Sequence, residues 1–378
     1  MEEATTYKLG DISTMKYGKL PPKHINEGNY PIWSGYRYVG KCNEFNCNKG
    51  DIIIVARGVG GTGDVKIAKE DCYLTNLSIQ VKLDKNICQP EYFYYSYLLS
   101  NLKYLDSGSA QSQITIEDLK RLEVTLPPLE QQHKITDILK SIDEKIELNR
   151  QINDNLEQQA QALYKSWFID FEPFKDCEFI ESEFGLIPEA WRVGPLSDLA
   201  EITMGQSPSG KSYNENGDGM LFYQGRAEFG DRYPSIRLYT TEPSRIAEQN
   251  SVLLSVRAPV GDTNIAYNKC CIGRGLASIK AKHGFNSFIF YMTKSLKDQF
   301  DLYNGEGTVF GSINRDSLNS MKVIVPSNDV INDFEKIVAP LDLKYKSLFN
   351  ENLLLTQQRD TLLPKLMSGE LKINEIDC

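Results

Sequence analysis

Two arginines, Arg57 and Arg257, each end a strand-like segment and lead into a Gly-rich turn, over residues 58–63 and 258–261. A guanidinium carries several N–H donors in a planar fork, so at such a turn it can bind a phosphate oxygen or the edge of a guanine base. The same groups could instead donate to carbonyls of the turns and serve only the fold. The sequence alone does not choose between these two roles.

Amide and hydroxyl side chains occupy a Gly-flanked loop near the end of each half of the chain. Such groups can read base edges, and the two loops differ in sequence, which favours two different targets. A further pair of loops follows Trp33-Ser-Gly and Phe222-Tyr-Gln-Gly, and for these an ordinary solvated turn is the alternative. The candidates for nucleic-acid contact are Tyr36, Arg37, Lys41, Arg57, Gln111, Ser112 and Gln113 in the first half, and Gln224, Arg226, Arg232, Arg257, Thr308, Phe310 and Ser312 in the second.

Residues 205–212 match the G-x-x-x-x-G-K-[ST] pattern of loops that cradle phosphate. That chemistry needs a helix directly after the loop, so that backbone N–H groups converge on the anion. Here Tyr213 to Gly219 would break a helix, and the first half of the chain has no counterpart. We interpret the match as coincidental and keep a nucleoside triphosphatase as a distant alternative.

Residue patterns for other chemistries are missing from the sequence. There is no Asn/Asp-Pro-Pro-aromatic string and no Gly-rich turn after a strand that would hold a nucleoside cofactor, so we expect neither a cofactor nor catalysis in this chain. His24, His133 and His283 have no Cys or Asp at ligand spacing, which predicts no metal site. The eight cysteines contain no CxxC pair and are expected to be reduced and packed.

The acidic excess of the chain, a net charge of −9, lies outside the segments that carry these candidates. Residues 1–126 hold fifteen Lys and Arg against fifteen Asp and Glu, and 181–326 hold fifteen against sixteen. Residues 127–180 and 327–378 hold six against eleven and six against nine, which suits a protein partner better than phosphates. The apolar runs are short and the start is polar, so we expect no membrane span, no secretory signal and a cytoplasmic location.

The chain is a tandem repeat, which would position both sets of candidates alike. Residues 51–57 match 251–257, and residues 108–115 align with 307–314 at an offset of 199. In each half we expect a mixed domain, with the aromatic run Tyr92 to Tyr97 packed in its core. The predicted strands lie near 51–56, 64–68, 77–83 and 121–126 with a helix over 91–105, and their counterparts lie near 251–257, 263–267, 275–281, 321–325 and 286–300.

A long amphipathic helix with apolar residues at every seventh position follows each domain. The register is the same in both copies at the offset of 199, except that the first copy has a polar residue, Asn149. This pattern favours two helices paired as a coiled coil, with Asn149 fixing their register; two surface helices on separate domains are the alternative. The seam residues are Ile135, Ile142, Asn149, Leu156 and Leu163 in the first helix, and Phe334, Leu341, Leu348, Leu355 and Leu362 in the second.

Prolines mark the limits of these helices. Pro127 and Pro326 close the last strand of each domain, and Pro364 should kink or stop the second helix near Leu363. A seam of about 29 residues would be about 43 Å long, comparable with the one-turn repeat of duplex DNA of about 34–36 Å. The predicted organisation is a first domain over 1–126, a helix and connector over 127–180, a second domain over 181–326 and a second helix over 327–378.

Four strings at the ends of the helices carry a family resemblance over essentially the whole chain. They are Leu126-Pro-Pro-Leu-Glu-Gln-Gln, Leu163-Tyr-Lys-Ser-Trp-Phe-Ile-Asp-Phe-Glu-Pro-Phe, Gly185-Leu-Ile-Pro-Glu-Ala-Trp and Leu363-Pro-Lys-Leu-Met-Ser-Gly-Glu-Leu. Together they resemble the specificity subunits of type I restriction-modification systems. The start of the second helix, Val325-Pro-Ser-Asn-Asp-Val, departs from the family pattern.

The resemblance implies an α+β protein: two mixed α/β target recognition domains separated by two long antiparallel helices that form a coiled coil, related by a pseudo-two-fold axis. Each domain would read one half of a bipartite site in double-stranded DNA, and the helices would set the spacing and dock two methyltransferase subunits. S-adenosylmethionine is expected in those partners, and restriction or translocase subunits are further candidate partners. Because the two halves differ in their loops, we expect an asymmetric site. The alternative is a coiled-coil scaffold, such as a degenerate copy, without DNA specificity.

Overall fold

The computed structural model describes residues 4–23, 25–58, 61–106, 112–257, 259–304 and 311–371. Its contacts divide the chain into two compact units, which we call unit 1 (Met1–Asn149 with Asn350–Cys378) and unit 2 (Arg150–Phe349). Both boundaries fall inside long helices. Each unit therefore holds one domain together with one end of each helix.

Unit 1 contains the first domain, in which short strands dominate. The strands are β1 (Thr5–Lys8), β2 (Ser13–Tyr17), β3 (Tyr30–Ser34), β4 (Arg37–Cys42), β5 (Ile52–Val55), β6 (Val65–Ile67), β7 (Tyr73–Leu74), β8 (Ser78–Leu83) and β9 (Glu123–Leu126). The helices are α1 (Pro90–Ser96), α2 (Ile116–Lys120) and the start of α3 (Leu129–Phe168). The strands form sheets in the orders β2-β8-β5-β6, β4-β3-β7 and β1-β9.

The four strands predicted for this domain are confirmed as β5, β6, β8 and β9. The helix predicted over 91–105 is wrong in its extent, because α1 ends at Ser96. The chain then turns back to the Gly-rich segment, where the Leu102 N–H donates to the Gly63 carbonyl at 2.8 Å. The approach is so close that a Cβ on Gly63, whose φ is +93°, would lie 2.4 Å from the Lys103 nitrogen.

Unit 2 contains the second domain, which repeats this topology. The strands are β10 (Phe179–Ser182), β11 (Gly185–Pro188), β12 (Arg192–Pro195), β13 (Ala200–Met204), β14 (Tyr213–Asn214), β15 (Met220–Tyr223), β16 (Leu238–Thr240), β17 (Ile246–Ala247), β18 (Val252–Ser255), β19 (Thr263–Ile265), β20 (Cys270–Ile272), β21 (Leu276–Ala281) and β22 (Lys322–Val325). The helices are α4 (Asn286–Ser295), α5 (Lys297–Asp301), α6 (Arg315–Ser320) and the start of α7 (Asn328–Ser368).

The order β13-β21-β18-β19 reproduces β2-β8-β5-β6, and β12-β22 reproduces β1-β9. The smaller sheet gains two strands, giving β14-β16-β15-β20-β17, and β10 with β11 forms a hairpin between α3 and β12. The strands predicted in this half are confirmed as β18, β19, β21 and β22, and the predicted helix is present as α4 and α5. The tandem repeat inferred from the sequence is therefore confirmed at the level of topology.

The second long helix continues through two prolines. α7 includes both Pro340 and Pro364, so the prediction that Pro364 would kink or stop the helix near Leu363 is wrong about the stop. A proline inside a helix removes one backbone hydrogen bond and costs about 3 kcal/mol. Leu363 and Leu366 lie on either side of Pro364 and are both buried in the core of unit 1, and we attribute the continued helix to this packing.

In each unit the two long helices contact one another in opposite directions. In unit 1, Asp143 of α3 pairs with Arg359 of α7 at 2.7 Å, and Asn149 donates to Glu351 and Asn352 at 2.9 Å. In unit 2, the rings of Phe168 and Phe334 lie 5.1 Å apart, and Leu156 and Leu163 pack in the same core as Leu341. Residue numbers rise along α3 as they fall along α7, so the contacts are antiparallel within each unit.

The predicted seam residues are all buried or half-buried. Asn149 is fully buried, as expected for a polar residue within an apolar seam. Ile135, Asn149, Phe334 and Leu348 are buried, and Ile142, Leu156, Leu163, Leu341, Leu355 and Leu362 are half-buried.

Three further expectations concern packing. The aromatic run on α1 is confirmed as core, since Tyr92, Phe93 and Tyr95 are buried. The loop at 205–212 ends in a 3-10 turn over Gly210–Ser212 and is followed directly by strand β14, so no α-helix is present to complete a phosphate loop. The cysteines within the described residues are unpaired and, apart from the exposed Cys177, buried.

Candidate nucleic-acid interface

In unit 1 the structure brings the predicted loops together at one edge of the first domain. Arg57 forms an isolated antiparallel bridge with Gln113, whose N–H donates to the Asp106 carboxylate at 2.8 Å. The β3–β4 turn lies beside them, because a Cβ on Gly35 would be 3.4 Å from the Arg57 carbonyl. Residues that are distant in sequence thus form a single polar surface.

Tyr36 and Arg37 form an exposed pair in the β3–β4 turn. The Arg37 Nε donates to the Tyr36 hydroxyl at 3.0 Å, and the guanidinium carbon lies 5.2 Å from the ring centroid. The Tyr36 ring packs over the Gly-rich turn, where a Cβ on Gly61 would approach it to 3.0 Å. A cation held beside an exposed aromatic ring can bind a phosphate and stack on a base. Lys41 is also exposed on β4.

Arg57 is half-buried, and its Nε has no hydrogen-bond acceptor among the described residues. A buried donor without a partner costs free energy, typically about 1–3 kcal/mol. An arginine that served only the turn would donate to its carbonyls. The unpartnered Nε thus leaves one donor of the Arg57 guanidinium for an external acceptor.

Unit 2 places the corresponding residues in the same way. Arg257 bridges Ser312, as Arg57 bridges Gln113, and each arginine follows an inner strand, β5 or β18, of the four-stranded sheet of its domain. Arg226 takes the place of Tyr36 and pairs with Asp262 at 2.7 Å. Gln224 is exposed next to them, and its carbonyl accepts from the Gly275 N–H at 3.3 Å. The two surfaces share a backbone plan but differ in side chains.

Arg232 does not belong to this surface, and its assignment as a DNA contact is corrected. The residue is 3% exposed, and its guanidinium donates to Glu157 at 3.0 Å and to Asp342 at 2.6 Å. It also stacks on Phe290 and Tyr345. Although burial alone would lower it, the pKa of Arg232 is raised by Asp342, Tyr291 and Glu157, so the cation is held firmly inside unit 2.

Some predicted contacts cannot be placed. Gln111, Thr308 and Phe310 lie outside the described residues. Ser112 and Ser312 are described and exposed.

Sequence reasoning missed Arg274, which is exposed in unit 2 between β20 and β21. Its N–H donates to the Ser207 hydroxyl at 3.3 Å, and a Cβ on the preceding Gly273 would lie 2.9 Å from the Gln224 carbonyl. The residue therefore borders the candidate surface. The signal was present in the sequence as Gly273-Arg274-Gly275, an arginine between two glycines.

A tyrosine–aspartate hydrogen bond anchors each domain to a long helix, and sequence reasoning also missed this pair. Tyr95 donates to Asp143 at 2.8 Å in unit 1, and Tyr291 donates to Asp342 at 2.9 Å in unit 2. Burial is the main cause that raises the pKa of both tyrosines, so each stays protonated and donates. The two aspartates are 199 residues apart, the offset of the repeat.

The described residues contain neither a candidate membrane span nor a candidate metal site. No described helix is long and apolar enough to span a membrane. Within the same residues there is no group of three or more His, Cys, Asp and Glu that could hold a metal ion.

The duplicated domains each present cationic and amide side chains at one edge. This arrangement is typical of proteins that carry two nucleic-acid recognition domains. The family model described as "Type I restriction modification DNA specificity domain" matches residues 1–158 and 188–342. The chain therefore belongs to this family.

Similar proteins carry related names. The chain is 36% identical over 302 residues to a putative type I restriction enzyme MjaX specificity subunit from Methanocaldococcus jannaschii, covering 77% of this chain and 70% of that protein. It is 28% identical to the HindI specificity subunit of Haemophilus influenzae, covering 80% and 82%. A crystal structure of the S subunit from M. genitalium superposes with a TM-score of 0.63 at 19% identity, over 96% of both chains, and shows the same fold.

Proposed function

We propose that this chain is the non-catalytic DNA-recognition subunit of a type I restriction-modification complex, in which each domain reads one half of an asymmetric bipartite site. The observation that carries the proposal is the repeated bridge of Arg57 to Gln113 and of Arg257 to Ser312. Equivalent backbone positions with different side chains suit two half-sites of different sequence.

The long helices are proposed to form a coiled coil that sets the distance between half-sites and docks two methyltransferase subunits. Their antiparallel contacts within each unit and the buried Asn149 support this arrangement. The methyltransferase subunits would bring S-adenosylmethionine and the methyl-transfer chemistry. Restriction or translocase subunits would join the same assembly.

The proposal is tested by measuring DNA binding of the chain together with its methyltransferase subunits by fluorescence anisotropy. We expect Arg57→Gln and Arg257→Gln each to weaken binding by about tenfold, as for the loss of one guanine or phosphate contact. Each variant should lose discrimination at one half-site only. Lys82→Gln and Lys280→Gln are matched controls. Both lysines are exposed, and each lies near the end of its strand, β8 or β21, that is away from Arg57 or Arg257.

A scaffold without DNA specificity predicts a different outcome. In that case the arginine variants and the lysine controls would bind a randomised duplex library equally well. Loss of discrimination at both half-sites from one substitution would also contradict the assignment of one half-site to each domain.

A further inference from the structure

Cys47 and Cys72 lie directly opposite one another in the first domain, although 25 positions separate them in the sequence. The Cys47 N–H donates to the Cys72 carbonyl at 3.0 Å, and the Cys72 N–H donates to the Cys47 carbonyl at 2.9 Å. In such a hydrogen-bonded antiparallel pair the Cα atoms are about 5.5 Å apart. A disulfide typically spans about 4.4–6.8 Å between Cα atoms, so the backbone is already at bridging distance.

The two cysteines differ in their position relative to a cavity. Both are buried, in a small core with Ile53, Ala68 and Leu74. Cys72 also lines a cavity of about 590 Å³, whose wall includes the exposed residues Lys69 and Glu70. A small molecule that enters this cavity meets Cys72, and Cys47 is not among the residues that line it.

The interaction between the neighbouring thiols shifts their pKa values in opposite directions. It raises the pKa of Cys47 and lowers the pKa of Cys72, against the effect of burial on the latter. The thiolate is the nucleophilic form of cysteine. The thiol that faces the cavity is thus the one favoured as an attacking thiolate, and its neighbour is held as a thiol.

We propose that Cys47 and Cys72 form a two-thiol redox site, which a small hydroperoxide oxidises to a disulfide within the first domain. The Cys72 thiolate attacks the terminal oxygen of the hydroperoxide, the O–O bond breaks, the alcohol leaves and Cys72 becomes a sulfenic acid. The Cys47 sulfur then attacks the Cys72 sulfur, the S–S bond forms, and the S–O bond breaks to release water. Two thiols and one hydroperoxide thus give one disulfide, one alcohol and one water; with hydrogen peroxide as the oxidant, a second water leaves in place of the alcohol.

The second domain lacks the site, which provides an internal control. Cys270 of β20 lies opposite Ala247, and Cys271 lies opposite Ile246, so neither has a thiol across the strand. The redox site is therefore a property of the first domain alone.

The test treats the full-length chain with hydrogen peroxide in buffer containing EDTA, quenches with catalase, denatures it and alkylates the free thiols. Peptide mass mapping should show a cross-link between the Cys47 and Cys72 peptides, with a loss of about 2 Da relative to the two thiols. Cys270→Ser should leave this cross-link intact, and Cys72→Ser should abolish it. In Cys47→Ser, Cys72 should instead be trapped by dimedone as a sulfenic acid.

The peptide mass map of the oxidised wild-type chain tests the proposal even if a serine variant fails to fold. Full alkylation of Cys47 and Cys72 after peroxide treatment would overturn the proposal. A disulfide between other cysteines, with these two still free, would overturn it as well.

Discussion

Arg57, Arg257 and Arg232 differ in their burial and in what their guanidinium groups contact. Arg57 and Arg257 lie at the polar edges, and the Nε of Arg57 lacks an acceptor among the described residues. Arg232 is enclosed, with carboxylates from both long helices on its guanidinium. A buried charge that loses its partner is costly, whereas an exposed ion pair contributes little.

Replacing Arg232 should therefore affect stability, and replacing Arg226 should affect binding. We expect Arg232→Met to lower the free energy of unfolding by about 3–5 kcal/mol, because Glu157 and Asp342 lose their common partner. Arg226→Met removes a half-exposed pair with Asp262 and should cost at most about 1 kcal/mol. Urea unfolding of both variants measures this difference, and equal losses would show that Arg232 is not a buried anchor.

The sequence could propose Arg57 and Arg257 because each follows an apolar strand and precedes glycines, a local pattern. It could not separate Arg232 from Arg226, since both follow the same Gly-containing loop. What distinguishes Arg232 is its pairing with Glu157 and Asp342, which are 75 and 110 positions away. Burial of that kind depends on tertiary contacts, which no local pattern reports.

At the scale of elements, side chains of the long helices bond to the start of a helix in each domain. In unit 1, Gln132 accepts from the Gln89 N–H just before α1, and donates to the carbonyls of Ile87 and Pro127. In unit 2, Glu335 accepts from the Phe288 N–H in the first turn of α4 at 2.8 Å. These bonds satisfy backbone groups that a helix start or a loop would otherwise leave unpaired.

Gln132→Ala should destabilise unit 1 more than its neighbour Gln131→Ala. The Gln132 side chain is fully buried and makes three bonds to backbone groups, whereas Gln131 is exposed. Leaving a buried N–H without a partner costs about 1–3 kcal/mol. The midpoint of urea unfolding should fall for Gln132→Ala and stay unchanged for Gln131→Ala; equal midpoints would contradict the anchoring role.

The carboxyl of Glu335 should make the free energy of unfolding depend on pH. Burial raises the pKa of its carboxyl, and the bond from the Phe288 N–H only partly offsets this effect. The folded state therefore binds this proton more tightly than the unfolded state, whose carboxyl has a pKa of about 4.3. The stability that the carboxyl contributes is present below that pKa and is lost as pH rises through the higher folded value.

The comparison that isolates this effect is wild type against Glu335→Gln. As pH rises from about 4 towards neutrality, the wild type should lose stability relative to the variant, because the variant has no proton to release. Unfolding free energies measured across that range test the sign. A difference that is constant with pH, or that moves in favour of the wild type, would contradict it.

Elements whose apolar residues recur at a regular spacing could be predicted from the sequence, and elements without such a pattern could not. The heptad repeat indicated α3 and α7 because their apolar residues recur at helical spacing. Strands β1 and β2 went unpredicted, since they are short and their residues are mostly exposed or half-buried. α1 was predicted too long. The segment after it is held by the hydrogen bond between Leu102 and Gly63, and no local sequence pattern indicates a contact between residues so far apart in the chain.

At the scale of the whole molecule, the duplicated chain carries two recognition domains on two helices, and the proposed function assigns the helices the role of a ruler. Asn149 is the polar residue in that seam, with its amide donating to Glu351 and Asn352. Its carbonyl oxygen is buried without a partner among the described residues. Such a residue favours one register at a cost in stability.

Asn149→Leu should therefore keep or raise the free energy of unfolding, while loosening the pairing of the helices. We expect sedimentation velocity to detect more self-association in the variant than in the wild type, because an all-apolar seam tolerates other pairings. Asn155→Leu, at an exposed position of α3, is the matched control. A large loss of stability without a change in association would show that Asn149 supports the fold rather than its register.

Inserting four residues into each helix, after Asn149 and after Phe349, should lengthen the proposed spacer. Four helical residues add about 6 Å, which corresponds to about two base pairs of duplex DNA at 3.4 Å each. Binding to duplexes whose half-sites are separated by increasing spacers measures the shift. An unchanged optimum would rule out the helices as the ruler.

The most direct test of the central claim exchanges residues 1–126 for those of a relative and maps methylated bases in the DNA of cells that also make the methyltransferase subunits. The bipartite model predicts that one half of the methylated motif changes, while the other half and the spacer stay the same. A change in both halves, or in neither, would contradict the claim that each domain reads its own half-site.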